Sequence, residues 1–163
     1  MELLLIRHGE AVDDAGPLGD EGRWLTAKGR KTTRKVARWL AADDARQPRE
    51  IWTSPLVRAV QTAEIVASAA RLTGEISAVS ELSPAKALEG VLRRLSRHVG
   101  VGQLALVGHE PLLSSIAEAL LGTALAPGAL KKSGVVALSW TPRARGALRF
   151  VLRPKGLALV AKP

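Results

Sequence analysis

Short apolar runs alternate along the chain with longer stretches in which apolar residues recur every three or four positions. The runs predict strands at residues 2–6, 50–53, 75–79, 103–107, 135–140 and 148–152. The longer stretches predict amphipathic helices over residues 26–42, 58–70, 83–99 and 111–121. Thr26 is the expected N-cap of the first helix, and Ser83 followed by Pro84 is a typical start for the third.

Strands that alternate with helices are typical of a sheet whose two faces are both covered by helices. The pattern therefore predicts an α/β protein, a three-layer α/β/α sandwich with a mostly parallel (mixed) central sheet. We expect residues 1–163 to form a single domain, because no linker, repeat or low-complexity stretch interrupts them. In such sheets, ligands bind beyond the carboxyl ends of the strands.

The composition excludes several classes of protein. A hydrophobic fraction of 47% argues against disorder. No apolar run approaches the roughly 20 residues that cross a bilayer, and the four apolar residues before Arg7 are too few for a signal peptide. The chain has no cysteine, which excludes disulfides and cysteine-bound zinc. We therefore expect a cytoplasmic protein.

Candidate chemistry lies where three of the predicted strands end. Arg7-His8-Gly9 follows the first strand, Ser54-Pro55-Leu56-Val57-Arg58 follows the second, and Gly108-His109 follows the fourth. Two arginines and two histidines at neighbouring strand ends would bind a tetrahedral dianion and supply a nucleophile. The pattern predicts phosphoryl transfer through a phosphohistidine, with no metal and no cofactor.

Two other classes of function remain as alternatives. A metallohydrolase could use His8 and His109 with Glu10 or Glu110, but the chain lacks both cysteine and a His-x-x-x-His spacing. A non-catalytic anion- or nucleic-acid-binding module would fit the net charge of +9. That module would leave the two strand-end histidines unexplained. Aromatic residues make up only 3% of the chain, so a stacking platform for nucleic acid is not expected.

Taken together, these motifs resemble the histidine phosphatase superfamily, which has the phosphoglycerate mutase-like fold. The resemblance rests on Arg7-His8-Gly9, on Ser54-Pro55-x-x-Arg58-Ala59-x-Gln61-Thr62 and on Gly108-His109, and it extends at least from Leu3 to His109. It implies that His8 is the nucleophile that becomes phosphorylated. It also implies that Arg7, Arg58 and His109 hold the phosphoryl group.

The departures from the superfamily pattern indicate a branch. Glu10-Ala11 stands where mutases and many small-molecule phosphatases carry Ser or Thr and then a nearby Asn, and this chain contains no Asn. Together with Leu25-Thr26-x-x-Gly29 and Glu81-Leu82-Ser83-Pro84, this resembles the SixA-type phosphohistidine phosphatases. Only 22 residues separate Arg58 from Glu81, which leaves no room for a cap subdomain. The resemblance implies a phosphohistidine-bearing protein as substrate; the alternative is a small-molecule phosphomonoesterase.

Glu81 falls in the part of the chain where relatives place a catalytic acid. It could protonate a leaving group, orient substrate or water, or simply precede the cap at Ser83. The release of imidazole from phosphohistidine needs a strong acid less than the release of an alkoxide does, so the residues leave the role of Glu81 open.

Seven basic residues crowd the segment from Arg23 to Arg38. On a helix, Arg30, Arg34 and Arg38 would lie above one another, with Lys35 beside them. Such a face can be an ordinary solvated surface or a docking face for an acidic partner protein, for example a phosphocarrier domain. We expect neither a nucleic-acid nor a membrane partner.

Overall fold

A computed structural model describes residues 1–98, 102–126 and 128–161 of the chain. Within these ranges the chain forms seven strands and four α-helices. The strands are β1 (Glu2–Arg7), β2 (Glu50–Thr53), β3 (Ile76–Ala78), β4 (Gln103–Gly108), β5 (Val135–Thr141), β6 (Ala144–Arg153) and β7 (Ala158–Ala161). The helices are α1 (Ala27–Ala41), α2 (Val57–Ala70), α3 (Leu88–Arg97) and α4 (Leu112–Leu121).

The seven strands form one mixed sheet in the order β3-β2-β4-β1-β5-β6-β7. The first four of these neighbours are parallel, and β5, β6 and β7 add to them by antiparallel pairing. In the parallel part, β4 lies between β2 and β1, with Arg7 opposite Gly108 and Thr53 opposite Val107. The carboxyl ends of β2, β4 and β1 therefore lie side by side.

Side chains that alternate along the central strands build two cores, one on each face of the sheet. Leu4 and Ile6 of β1 face α1 and α2, where Val36 and Ala63 are fully buried. Leu3 and Leu5 face the other side, where α3 and α4 cover the sheet. This arrangement confirms the predicted three-layer α/β/α sandwich. None of the helices in the described ranges is both long and apolar enough to span a membrane.

The predicted start of the third helix is wrong. Ser83 and Pro84 lie in a turn in which the Lys86 N–H donates to the Ser83 carbonyl, and α3 begins only at Leu88. The backbone of Ser83 is extended, because it ends the short 3₁₀ helix Ser80–Leu82 instead of capping α3. The predicted apolar stripe is confirmed for Leu88, Val91, Leu92 and Leu95, which face the core. Val99, its predicted last member, lies outside the described residues.

The C-terminal part of the sheet is larger than predicted. β6 extends over ten residues, where the pattern predicted only residues 148–152, and β7 was not predicted. Both differences have the same cause. The outer part of β6 and all of β7 lie at the edge of the sheet, where side chains such as Leu159 are exposed and backbone pairing with the neighbouring strand, not burial in the core, forms the strand.

The start of α1 fixes the chain that follows β1. Thr26 is the N-cap, as predicted, and its Oγ1 accepts a hydrogen bond from the Gly29 N–H at 2.9 Å. The Thr26 N–H donates to the carbonyl oxygen of Glu10 at 3.0 Å. A Cβ at Gly29 would overlap that same carbonyl, so only glycine allows α1 to pack this closely on the Glu10 backbone.

Replacement of Gly29 by alanine is therefore expected to destabilise the fold. Alanine is the better helix former by about 1 kcal/mol, but the overlap is with backbone, which cannot turn aside as a flexible side chain can. We expect a net loss of about 1–3 kcal/mol, measured by urea unfolding. Gly102→Ala is the control, because its Cβ meets nothing within 4 Å. An equal effect of the two substitutions would contradict this account of Gly29.

Candidate active site

The four residues predicted from the strand ends come together at the carboxyl edge of β2, β4 and β1. Arg7 is the last residue of β1, and His8 follows it with its N–H bonded to the Gly108 carbonyl at 3.1 Å. His109 follows β4, and its ring centroid lies 5.0 Å from that of His8. Arg58, in the first turn of α2, completes the group.

His8 is held in one orientation and one tautomer. Its Nδ1 lies 2.7 Å from the carbonyl oxygen of Gly9. A carbonyl can only accept, so Nδ1 carries the proton, and in the neutral ring Nε2 keeps its lone pair. The ring is only 9% exposed. His8 can therefore present an unprotonated nitrogen as a nucleophile.

Gly9 permits the segment that follows His8 to pack closely against its neighbours. A Cβ at Gly9 would lie 2.6 Å from Thr33 Oγ1 and 3.2 Å from Ser133 Oγ. These two hydroxyls are themselves hydrogen bonded at 2.9 Å, and both residues are buried. Glycine is therefore needed at position 9, because a larger side chain does not fit between this segment and α1.

His109 is buried beside the end of β2. Its Nε2 lies 2.8 Å from the hydroxyl of Ser54, which is itself fully buried. Its Nδ1 is buried and has no hydrogen-bond partner among the described residues. The same holds for Nε of Arg7, whose Nη1 donates to the Leu130 carbonyl at 3.2 Å. Two nitrogens of the candidate site are thus left without a hydrogen-bond partner among the described residues.

Arg58 is paired with an acid that the motifs did not reveal. Its Nη2 donates to Asp20 Oδ2 at 2.9 Å, and its Nη1 donates to the Asp20 backbone oxygen at 2.6 Å. Asp20 also accepts from Arg23 at 2.9 Å through its other carboxylate oxygen. The bond to Arg58 is the main cause that lowers the pKa of Asp20. Asp20 therefore supplies a negative charge to the buried guanidinium.

The residues around Arg58 in the sequence motif hold the neighbouring loops on α2. Thr62 Oγ1 accepts from the Gly9 N–H at 3.1 Å and donates to the Arg58 carbonyl at 2.8 Å. Gln61 Oε1 accepts from the Leu25 N–H at 2.8 Å. One turn of α2 thus fixes the segment after His8, the segment before α1 and, through Arg58, the loop that carries Asp20.

Burial and positive charge keep both site histidines neutral. Burial is the main cause that lowers the pKa of His8 to about 4, although the bond to Gly9 opposes it. Burial likewise lowers the pKa of His109 to about 3, and the adjacent His8 and Arg58 lower it further. At neutral pH each ring therefore has one N–H and one lone pair.

The structure does not bring Glu81 into this group. Glu81 lies in the 3₁₀ helix Ser80–Leu82, where it accepts from Ser80 Oγ at 3.1 Å and lies 3.5 Å from Arg94 Nη1. In the described part of the chain it makes no hydrogen bond or ion pair with His8 or His109. A hydrogen bond from its own backbone, and to a lesser extent Ser80 and Arg94, lower its pKa. A role for Glu81 stays a prediction.

The described residues bring together no cluster of side chains that could bind a metal ion. No group of three or more His, Asp or Glu side chains is placed there to hold an ion. The remaining histidine of the chain, His98, packs edge-on against Trp52 with ring centroids 4.9 Å apart, and its Nε2 lies 3.3 Å from Glu50. It therefore belongs to the α3 side of the fold and not to the candidate site.

Sequence reasoning missed two residues of the site. Asp20 lies in the long connection between β1 and α1, and no spacing relates it to Arg58 along the chain. Ser54 was part of the quoted motif, but the motif alone did not predict its contact with His109. Both contacts join segments that are far apart in sequence, so a fold is needed to find them.

The site therefore combines a histidine lone pair, two guanidiniums and a second imidazole in a buried, positively charged edge of the sheet. Such an arrangement can bind a phosphoryl group and accept it on nitrogen.

Comparisons with known proteins agree with this chemistry. The family model described as histidine phosphatase superfamily (branch 1) matches residues 3–83. An uncharacterized protein from Picosynechococcus sp. strain PCC 7002 is 40% identical over 141 residues, which cover 85% of this chain and 84% of that protein. The phosphohistidine phosphatase SixA of Escherichia coli K12 is 27% identical over 163 residues, which cover 98% of each chain.

Solved structures show the same fold. The protein histidine phosphatase SixA complexed with tungstate superposes with a TM-score of 0.85 at 26% identity, over 97% of this chain and 100% of that one. The alpha-ribazole phosphatase from Shigella flexneri superposes with a TM-score of 0.73 at 20% identity, over 94% of this chain and 97% of that one. The second likeness concerns the fold alone.

The neutral histidines predict that stability falls as the pH falls from 7.5 to 5. The folded pKa values of about 4 and 3 lie below the ordinary value of 6.5. The unfolded chain therefore binds more protons in this range, and each ring should remove on the order of 1–2 kcal/mol of unfolding free energy at pH 5. Urea unfolding at the two pH values measures the difference. His109→Gln should reduce this difference in unfolding free energy. Equal stability at both pH values in the unmodified protein would contradict the prediction.

Proposed function

The chain belongs to the histidine phosphatase superfamily and is a phosphatase, and on that premise we propose that it removes phosphate from phosphohistidine on another protein, through a phosphohistidine formed on its own His8. The observation that carries the proposal is the contact of His8 Nδ1 with the Gly9 carbonyl, which leaves Nε2 unprotonated in a ring that packs against His109 and experiences the charges of Arg58 and Arg7.

In the proposed first step, the lone pair of His8 Nε2 attacks phosphorus. The bond between phosphorus and the substrate nitrogen breaks, and its electron pair stays on the leaving imidazole, which takes up a proton from solvent water. In the second step, water attacks the phosphorus on His8, inorganic phosphate leaves, and Nε2 regains its lone pair. The Gly9 carbonyl holds the ring in place through both steps.

Arg7, Arg58 and His109 would stabilise the charge that spreads over the equatorial oxygens during transfer. The unpartnered nitrogens of Arg7 and His109 support this role, because a bound phosphoryl group would supply the acceptors that the protein does not. Arg58 would act from a position that Asp20 already fixes. The Glu81 carboxyl is left out of these proton transfers, because among the described residues its contacts are with Ser80 and Arg94 and not with the site histidines.

Three observations support a protein-borne phosphohistidine as substrate. The chain is similar to phosphohistidine phosphatase SixA along nearly its whole length. Between the end of α2 and Glu81 the chain forms only β3 and short turns, so no inserted subdomain from this segment covers the site. Ala11 is buried in a bridge with Leu25 and offers a small substrate no hydroxyl. The second candidate, a small-molecule phosphomonoesterase, rests on the fold shared with the alpha-ribazole phosphatase.

The basic face of α1 is the proposed dock for an acidic partner protein. Arg34, Lys35 and Arg38 are exposed and Arg30 is half-buried. In the described part of the chain, none of these four makes an ion pair. A cavity of about 770 Å³ opens beside this face, and its cationic lining consists of Lys31, Lys35, Arg38 and Lys155. The carboxylates of an acidic partner would contact these four positive charges.

His8→Ala is expected to lower the phosphatase rate by at least ~10³-fold, because it removes the nucleophile. After turnover and an alkaline quench, mass spectrometry should find phosphate on His8 of the unmodified protein. His98→Ala, which changes a histidine outside the site, is the matched control and should retain activity. EDTA should leave the rate unchanged, since the proposed steps use no metal ion. Near-normal turnover by His8→Ala would contradict the assignment of His8 as the nucleophile.

The proposed substrate class predicts an order of rates. The kcat/KM for a phosphohistidine-bearing acidic protein should exceed that for phosphoserine peptides and for sugar phosphates, and it should fall with ionic strength as charges are screened. If a sugar phosphate or nucleotide gives the highest value, the small-molecule phosphatase takes the place of this proposal.

Two double variants separate docking from chemistry. Charge reversal at Lys35 and Arg38 should lower kcat/KM for the protein substrate while leaving that for phosphoramidate unchanged. Reversal of Arg93 and Arg97, which are equally exposed on α3 across the sheet, is the matched control. If both pairs have the same effect, the positive charge acts without a defined dock.

A further inference from the structure

One buried hydroxyl at the site has no part in the steps described so far. Ser54 follows β2 and is fully buried. Its Oγ lies 2.8 Å from Nε2 of His109, which belongs to the neighbouring strand end. A buried hydroxyl needs partners for both its hydrogen and its lone pairs, so the direction of this hydrogen bond can be worked out.

The hydrogen bonds around Ser54 fix that direction. The Leu56 N–H donates to Ser54 Oγ at 3.3 Å, so the oxygen already accepts one hydrogen bond. Among the contacts of the described residues, the acceptor within reach of the Ser54 hydroxyl hydrogen is His109 Nε2. The reverse arrangement would leave two buried groups unpaired, the hydroxyl hydrogen and the Nδ1 lone pair, whereas this arrangement leaves only the Nδ1 proton for a ligand to satisfy.

This direction decides where the proton of His109 resides. The ring is neutral at pH 7, because burial lowers its pKa to about 3. If Nε2 accepts from Ser54, the single proton of the ring must be on Nδ1. Nδ1 is the buried nitrogen that has no partner among the described residues.

The two tautomers would treat an anion differently. With the proton on Nδ1, His109 offers a phosphoryl oxygen a hydrogen-bond donor. With the proton on Nε2, it offers that oxygen a lone pair, which repels negative charge. His8 and His109 would then share one tautomer but present opposite ends: His8 is bonded through Nδ1 and presents its bare Nε2, whereas His109 is bonded through Nε2 and presents Nδ1–H.

We propose that Ser54 is a positioning residue: its hydroxyl donates to Nε2 of His109 and so keeps the proton of that ring on Nδ1, where it serves the transferred phosphoryl group. The inference rests on the proposed function for its catalytic consequence, but the tautomer itself is a property of the protein without substrate. It assigns a reason for serine at position 54 of the motif.

The test is ¹⁵N NMR of protein labelled at histidine. The chain contains three histidines, so the spectrum is simple, and His8→Gln and His109→Gln assign the signals. We expect the unmodified protein to show a protonated Nδ1 and an unprotonated Nε2 at His109. In Ser54→Ala the proton should move partly or wholly to Nε2, while the signals of His98 stay unchanged as an internal reference. A protonated Nε2 at His109 in the unmodified protein would overturn the proposal.

Kinetics provide the second measurement. Ser54→Ala should lower kcat/KM by at least ~10-fold, less than the ~10²–10³ that removal of a stabilising donor costs in other enzymes. Ser133→Ala is the matched control, because it removes another buried hydroxyl beside the site. An equal loss in both variants would show a general packing effect and overturn the proposal. If the unmodified protein forms no phosphohistidine at His8, the proposed function fails, whatever the tautomer of His109.

Discussion

The structure depends on a concentration of positive groups at one buried edge of the sheet. Two guanidiniums and two imidazoles lie at the carboxyl ends of three adjacent parallel strands. In the described residues, the carboxylate bonded to this group is that of Asp20. Burial and repulsion from the guanidiniums both disfavour protonation of the two imidazoles, so the imidazoles stay neutral. The same imbalance favours a dianion, whose oxygens would meet donors that the protein leaves unpaired.

A site of this kind works only if its parts cannot separate. The turn of α2 from Arg58 to Thr62 holds three segments through three hydrogen-bonding side chains: Arg58 holds Asp20, Gln61 holds Leu25, and Thr62 holds Gly9. Each partner lies on the connection between β1 and α1. The spacing of Arg58, Gln61 and Thr62 in the motif therefore places three hydrogen-bonding side chains along one turn of α2. Their bonds to backbone groups and to the Asp20 carboxylate oppose the repulsion between positive groups within the site.

The sequence predicted those features that depend on local patterns. Apolar runs located the central strands, and a residue type at a strand end, such as His8 or His109, could be placed because parallel strands end together. The sequence pattern gave no correct prediction where contacts between distant segments determine the structure. Ser83-Pro84 resembles a helix start, yet the chain forms a turn there and α3 begins at Leu88. The pairing of Arg58 with Asp20 has no local signal, and the short apolar run of β7 forms a strand only because β6 offers it an edge.

The two histidines show that residue type alone does not determine the chemistry of a side chain. Each has a neutral ring, yet a single neighbour decides what each can do: a carbonyl that only accepts fixes a lone pair on His8, and a hydroxyl that can donate fixes an N–H on His109. An exchange of these neighbours would exchange the roles of nucleophile and donor. The distinction between them therefore lies in the backbone carbonyl of Gly9 and the hydroxyl of Ser54, two groups that belong to the same motifs as the catalytic side chains.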